Sequence, residues 1–276
     1  MVFISMTEPR CTDASNEMKK MVMPLISRIF LSALCAFGST AMATQCKPVY
    51  LTLDTGNMRD ANDIAAFLKE RNIKASFFLA NEKTVQGGFA LDASWAPYWK
   101  ARVQEGHVFG SHTWRHGRIY PNKNGVQAVA YKPQFGESAG ELLNLAPASF
   151  CQELQKVNEV FQGQTGTRLA GLWRAPGGKL SPEALAAAKT CGFNHVGWSE
   201  TGFLGDELDS KRFPNDLLVK KALKSVRSGD VLLAHLGIWS RQELFFPAFK
   251  QIVAGLQEQG FCFKTLKEHP DYAVYF

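Results

Sequence analysis

Residues 50–57 read YLTLDTGN, an apolar run that stops on a carboxylate, a hydroxyl and a glycine. Val49, Leu51 and Leu53 alternate with Tyr50 and Thr52. That is the two-residue period of a strand, and it sets Asp54 at or just past the strand's carboxyl end. In α/β folds this end of a strand is where ligands and reacting groups gather. Taken alone, Asp-Thr-Gly reads first as a strand cap followed by a turn, and only partners elsewhere in the chain overturn that reading.

Working outward, strand patterns recur at 75–80 (ASFFLA), 107–112 (HVFGSH), 172–176 (LWRAP), 195–199 (HVGWS), 230–236 (DVLLAHL) and 261–266 (FCFKTL). Helical patterns lie between most of them, at 61–71, 150–165, 182–191, 216–228 and 246–259. Strands alternating with helices imply parallel pairing, in a wound α/β sheet or a barrel. Two stretches break the rhythm: 81–100, with GGF and SWAPYW, and 117–149, rich in Gly, Pro, Asn and Lys. Loops of that length inside a compact domain are usually functional. The second directly follows a histidine pair and reads as a lid.

A chain of 276 residues, 46% of them hydrophobic and 12% aromatic, can bury a large core. Its net charge of +6 is diffuse, with no dense basic run interleaved with aromatics, so no nucleic-acid partner is expected. Lys19 and Lys20 precede an apolar stretch at 29–37, and Ala41-Met42-Ala43 follow. This is the layout of a secretory signal cleaved before Thr44. The polar residues 1–17 look out of place ahead of it, and the expected start is Met18 or later. The apolar run is shorter than the ~20 residues of a spanning helix, and Leu34 stands before Cys35 where lipidation wants a small residue. The division is thus an extension and signal at 1–43 and one domain at 44–276, exported to the periplasm or beyond, with no stable membrane partner and no indication of oligomeric state. Four cysteines remain in that domain, enough for two disulfides in three pairings. Cys46 leads into the first strand and Cys262 lies in the last apolar run, so Cys46–Cys262 with Cys151–Cys191 is the expected set if the sheet closes.

Three further segments carry chemistry. In GSHTWRH (110–116), His112 and His116 are four residues apart, and on a helical turn both imidazoles would share one face and one divalent metal. In LWRAPGG (172–178), Arg174 ends a strand ahead of a Pro-Gly-Gly turn, placed to orient a carboxylate or to form an ordinary ion pair. In DVLLAHLG (230–237), His235 closes an apolar strand, as a satisfied core histidine or a general acid. Each reading is ordinary by itself. Together, four strand ends offer polar groups suited to metal-assisted hydrolysis at one rim.

In order and spacing, LTLDTG, SHTWRH, RAPGG, VGWS and LLAHLG resemble the successive motifs of the polysaccharide deacetylases, the NodB-homology domain of carbohydrate esterase family 4. The likeness spans about residues 48–267. It implies a distorted, incomplete (β/α)7 barrel, a divalent metal such as zinc, with cobalt, nickel or manganese as alternatives, and removal of acetyl groups from an N-acetylated glycan. Motif by motif, Asp54 matches the catalytic base, His112 and His116 the metal-binding histidines, Arg174 the arginine that holds the base, and His235 the general acid. Trp198 and Pro176 fall in segments matching the substrate side of the site. His107 resembles a histidine of structural character.

One position departs. The family commonly reads TFDDG, its second carboxylate binding the metal, and here that position is Thr55. Three outcomes follow: a weaker metal site with Thr55 or another group filling in, Asp54 as a ligand with the base elsewhere, or lost catalysis with sugar binding retained. A non-catalytic binder would use Trp95, Tyr98, Trp99, Trp114, Trp198 and Trp239 as stacking surfaces. An amidohydrolase of another small C–N substrate is also compatible with the resemblance. A serine hydrolase is not supported, since no G-x-S-x-G elbow appears.

Overall fold

The computed structural model describes residues 46–122 and 127–276. The extension and signal expected at 1–43 lie outside the described residues. The chain runs β1 (Lys47–Asp54), α1 (Ala61–Glu70), β2 (Ser76–Leu79), α2 (Ala96–Gln104), β3 (Val108–Ser111), β4 (Arg118–Tyr120), β5 (Val129–Lys132) and β6 (Leu143–Leu145). It continues with α3 (Pro147–Thr165), β7 (Leu172–Trp173), α4 (Pro182–Thr190), β8 (Asn194–His195), α5 (Asn215–Ser225), β9 (Val231–His235), α6 (Phe246–Glu258) and β10 (Phe261–Lys264).

Seven strands form one sheet in the order β10-β1-β2-β3-β7-β8, with β9 also paired to β1, and every pairing in it is parallel. β1 serves three partners along its length: β10 over residues 47–50, β9 over 50–54 and β2 over 52–54. Between β8 and β9 the ladder gives way to an irregular segment. There Ser199 and Leu204 donate their backbone N–H groups to the carbonyls of Val231 and Leu233. The circle is therefore nearly completed by loop rather than by strand.

Parallel pairing puts every strand's carboxyl end on the same rim. The register is specific about it: Asp54 lies directly opposite His235, Leu79 opposite Ser111 and Ser111 opposite Trp173. Any polar residue at or just beyond those positions is delivered to one place. The sheet is held there by burial on both faces: Val49, Leu51 and Leu53 are fully enclosed on one side of β1, and Tyr50 and Thr52 are buried on the other. α1 sets Ile64, Phe67 and Leu68 against it, and α6 sets Phe249, Ile252, Val253 and Leu256. Burying side chains of this size is worth about 1.5–3 kcal/mol each. Ser181 caps α4 by accepting the N–H of Ala184, with Pro182 at the first helical position. Both disulfides form as expected, Cys46–Cys262 tying the entry of β1 to β10 and Cys151–Cys191 tying α3 to the end of α4.

The stretch read as a loop at 117–149 is instead a small antiparallel sheet, β4-β5-β6. Its alternation was masked by short strands. Ile119, Val129 and Tyr131 turn inward onto Phe150, Leu154 and Trp173, a second core beneath the insertion. Residues 81–100 likewise contain order, with α2 carrying Trp99 fully into the core.

Candidate active site

The rim opens into a cleft of about 840 Å³ lined by Asp54, Glu82, His112, His116, Glu207 and His235, among others. Arg174 lies beneath it, fully buried, and uses its whole guanidinium. Nη1 donates to Asp54 Oδ1 and to Thr52 Oγ1, each at 2.8 Å, while Nε and Nη2 donate to the carbonyls of Val196 and Gly197. Its charge is further spread over the Phe78 ring at 4.3 Å. Burial pulls the Arg174 pKa down and the Asp54 carboxylate opposes that shift. A carboxylate with one oxygen held this way presents the other, Oδ2, to the cleft.

His112 comes off the end of β3. Its Nδ1–H donates to the Arg174 carbonyl at 2.9 Å, which fixes the tautomer and leaves the Nε2 lone pair facing Asp54 Oδ2 at 3.4 Å. Burial, then the neighbouring His116 ring, holds the His112 pKa well below its ordinary value. The helical turn expected for 112–116 is not what forms. Thr113 and His116 take left-handed backbone angles, φ 64° and 47°, and this tight turn brings the two rings to 4.8 Å between centroids. His116 Nδ1 meets Gln134 Oε1 from the inserted sheet at 2.7 Å.

On the facing side, His235 receives Asp206: its backbone N–H and its Nδ1 both contact the carboxylate, at 2.7 and 3.1 Å. Its Nε2 meets Glu207 Oε1 at 3.2 Å. Burial opposes the imidazolium, but the charges of Asp206, Glu207 and Asp54 outweigh burial and hold the His235 pKa well above its ordinary value.

Two expected residues sit elsewhere. Thr55 is fully buried below the cleft, its hydroxyl donating to Glu82 Oε1 at 2.6 Å and accepting the N–H of Ala80. Pro176 is buried in its turn, and Gly177 and Lys179 line the cleft beside it. Trp198 does line the cleft; Gly178 must be glycine, since a Cβ there would lie 2.6 Å from the Trp198 ring. Of the other aromatics named as stacking surfaces, Trp239 lines the cleft and is half exposed. Trp95 and Trp99 are core residues, Tyr98 hydrogen-bonds the Ala61 carbonyl, and Trp114 lines a different groove.

A family model described as polysaccharide deacetylase matches residues 41–196, more than half of the chain. The chain belongs to the polysaccharide deacetylase family. A peptidoglycan-N-acetylglucosamine deacetylase of Bacillus cereus is 24% identical over 224 residues, 80% of this chain and 87% of that protein. A family 4 acetyl xylan esterase from Clostridium thermocellum, solved with a cobalt ion, aligns with a TM-score of 0.60 at 22% identity, over 80% of this chain and 89% of that one. A family 4 pseudoenzyme from Bacillus anthracis aligns with a TM-score of 0.58 at 20% identity, over 82% of this chain and 66% of that one. The curled, mostly parallel half-barrel with outer helices is the fold of this family.

Deacetylases of the family generally work with a metal, and the residues here suit one. The facing Nε2 of His112 and Oδ2 of Asp54 both offer lone pairs, with no hydrogen to share between them. The His116 ring stands 4.8 Å from the His112 ring, so two imidazoles border the position that Asp54 Oδ2 faces, neutral nitrogen donors of the kind a divalent ion takes. Among the described residues, no three His, Cys, Asp or Glu side chains are gathered tightly enough to be a metal site by proximity alone. An ion held by His112 and His116 would face the open cleft that both residues line.

Sequence reasoning missed Glu82, Asp206 and Glu207. Glu82 had a signal, since it follows the end of β2 as Asp54 ends β1. Asp206 and Glu207 lie in the irregular segment before α5, where no periodicity announces them.

Proposed function

We propose that this polysaccharide deacetylase family member is an exported, metal-dependent enzyme that hydrolyses amide-linked acetyl groups of an N-acetylated polysaccharide such as peptidoglycan, a chitin-like polymer or an exopolysaccharide. The observation that carries the reading is the direct register pairing of Asp54 with His235 across β1 and β9, one held by a buried arginine and the other by a buried carboxylate. That is an ionised base facing a protonated acid, the pair an amide hydrolysis needs.

His112 and His116 would hold the metal, which when bound polarises the amide carbonyl and makes water a better nucleophile. Asp54 Oδ2 takes a proton from the attacking water while Arg174 keeps Oδ1 in place. As the new C–O bond forms and the C–N bond breaks, His235 Nε2 gives its proton to the departing nitrogen. Acetate leaves and the sugar keeps a free amine. Asp206 stabilises the imidazolium before transfer, and Trp198 and Trp239 offer apolar faces to sugar rings. Two disulfides in the described domain support an oxidising compartment, in keeping with the signal-like segment ahead of Thr44.

Purified protein incubated with chitooligosaccharides and with peptidoglycan should release acetate, and a chelator should stop it. Absence of release with zinc, cobalt, nickel and manganese in turn overturns the reading. Thr55 at the family's usual metal carboxylate favours a second reading, a glycan binder without catalysis. Asp54→Asn separates the two, because a binder keeps its affinity and an enzyme loses turnover by about 10³-fold.

A further inference from the structure

We propose that Glu82 supplies the metal-binding carboxylate that residue 55 lacks, so that the ligand set is His112, His116 and Glu82. The proposal rests on the metal-dependent reading above and adds to it a residue from a different strand.

Glu82 lies three positions beyond the end of β2, and β2 is the hydrogen-bonded neighbour of β1 with Phe78 opposite Asp54. A side chain leaving the chain there is long enough to reach back over the Thr55-Gly56 turn. Its Oε1 accepts the Thr55 hydroxyl at 2.6 Å and the Gly56 N–H at 2.8 Å. Thr55 in turn is oriented by the Ala80 N–H at 3.2 Å. Gly56 is required for this approach: its φ is +62°, and a Cβ would come 2.1 Å from the Gly237 carbonyl oxygen. The residue that replaces the usual carboxylate therefore docks another one in almost the same place.

With Oε1 pinned by two donors, Oε2 points to the cleft, where His116 Nδ1 is 3.8 Å away. Glu82 is only 4% exposed. A carboxylate that is so buried and holds no Lys or Arg within ion-pair distance among the described residues needs positive charge to offset its desolvation. The nearest polar groups on that side are imidazoles, which bind a metal as neutral donors. A divalent ion beside His112 and His116 supplies the charge, and a carboxylate oxygen is an ordinary third ligand for it. The threonine then has a function of its own: an aspartate at 55 would sit 2.6 Å or so from Glu82 Oε1 as a like charge, whereas its hydroxyl donates.

Titration of the full protein with Co²⁺ and Zn²⁺, followed by calorimetry and by the visible absorption of bound Co²⁺, tests the assignment without any substrate. Glu82→Gln keeps an oxygen to accept from Thr55 and Gly56 but removes the anion. Losing a partner outside the ligand set costs 10–100-fold in metal affinity, so loss of a ligand should cost about 100-fold or more and change the Co²⁺ spectrum. Thr55→Asp combined with Glu82→Gln should recover affinity to within about tenfold. Equal affinity and an unchanged spectrum in Glu82→Gln overturn the proposal while leaving the metal-dependent reading standing. Failure of the unaltered protein to bind either ion overturns that reading instead. A zinc-soaked crystal of the unaltered protein decides the case independently of how the variants fold. Glu82 within about 2.2 Å of the ion is expected, and Glu82 beyond hydrogen-bond distance of it refutes the assignment.

Discussion

His107 and His235 stand at opposite ends of the same parallel sheet, one just before β3 begins and the other closing β9. Both are more than nine-tenths buried. Burial alone would leave both neutral, and in His107 it does: with the nearby Arg102 charge it pushes the pKa down to about 4. The His107 Nδ1 accepts the Ala75 N–H at 3.0 Å, so the ring carries its hydrogen on Nε2 and any added proton must break that bond. Glu105, the carboxylate that could have helped, is 3.5 Å away and committed to Arg102 through two hydrogen bonds. His235 instead has Asp206 to itself. One side chain at one depth is thus a structural acceptor at the amino ends of the strands and an acid at their carboxyl ends. The difference lies in whether a carboxylate is free to face it.

Removing that carboxylate should erase the contrast, and it is the largest effect expected. Asp206→Asn keeps the shape but ends the stabilisation of the imidazolium, and acetate release should fall by about 10³-fold, within the span of general acid catalysis. The direction in pH is fixed. His235 must be protonated to donate, so activity is lost as pH rises through its pKa, and lowering that pKa moves the alkaline limb toward lower pH. A pH–rate profile of the variant with its alkaline limb unmoved would show that Asp206 does not set the charge of His235.

Much of this molecule was legible in the residues. Strand patterns marked all seven sheet strands, β8 only at its last residue, helical patterns marked every helix but α2, and Asp54, Arg174, His112 and His235 stood out by ending apolar runs. The disulfide Cys46–Cys262 followed from the first and last strands lying side by side. What escaped has a common physical cause. Glu82, Asp206 and Glu207 matter through neighbours that sheet curvature and irregular backbone bring close, and a lone acid in a loop carries no spacing that reports it. The turn at 113–116 misled because a spacing of four suits a helix, while Thr113 and His116 adopt left-handed angles set by the packing of Tyr131 and Glu153. The inserted sheet was hidden because strands of three or four residues, such as RIY and LNL, are too short to show alternation.

The amino-end histidine sharpens the contrast through stability. Its pKa of about 4 in the fold against about 6.5 unfolded means the unfolded chain takes up the proton first as pH falls. The sign is therefore loss on acidification. The contribution is intact above pH 6.5 and drains away toward pH 4, by about 3 kcal/mol over that range for this one group. Denaturant unfolding at pH 7.5 and pH 4 measures it, with His107→Gln as reference. The variant should be less stable at neutral pH yet lose about 3 kcal/mol less on acidification than the unaltered protein. Parallel curves for the two proteins would mean that His107 is not the neutral, buried acceptor its contacts describe.

Glu207 offers the finest division, because it touches the same imidazole as Asp206 with a similar distance and should matter far less. Its side chain is 41% exposed, whereas that of Asp206 is 2% exposed. Water screens an exposed charge, and such pairs are worth about 0–1 kcal/mol. Glu207 also occupies Nε2, the atom that must reach the departing amine, so it has to move aside for each turnover, and its exposure leaves it room to do so. Losing its charge weakens the imidazolium a little and releases Nε2 a little more readily, two effects of opposite sign. Glu207→Gln should therefore change acetate release by less than about threefold and shift the alkaline limb by less than about half a pH unit. A loss approaching that of Asp206→Asn would mean that the exposed carboxylate, not the buried one, is what keeps His235 charged.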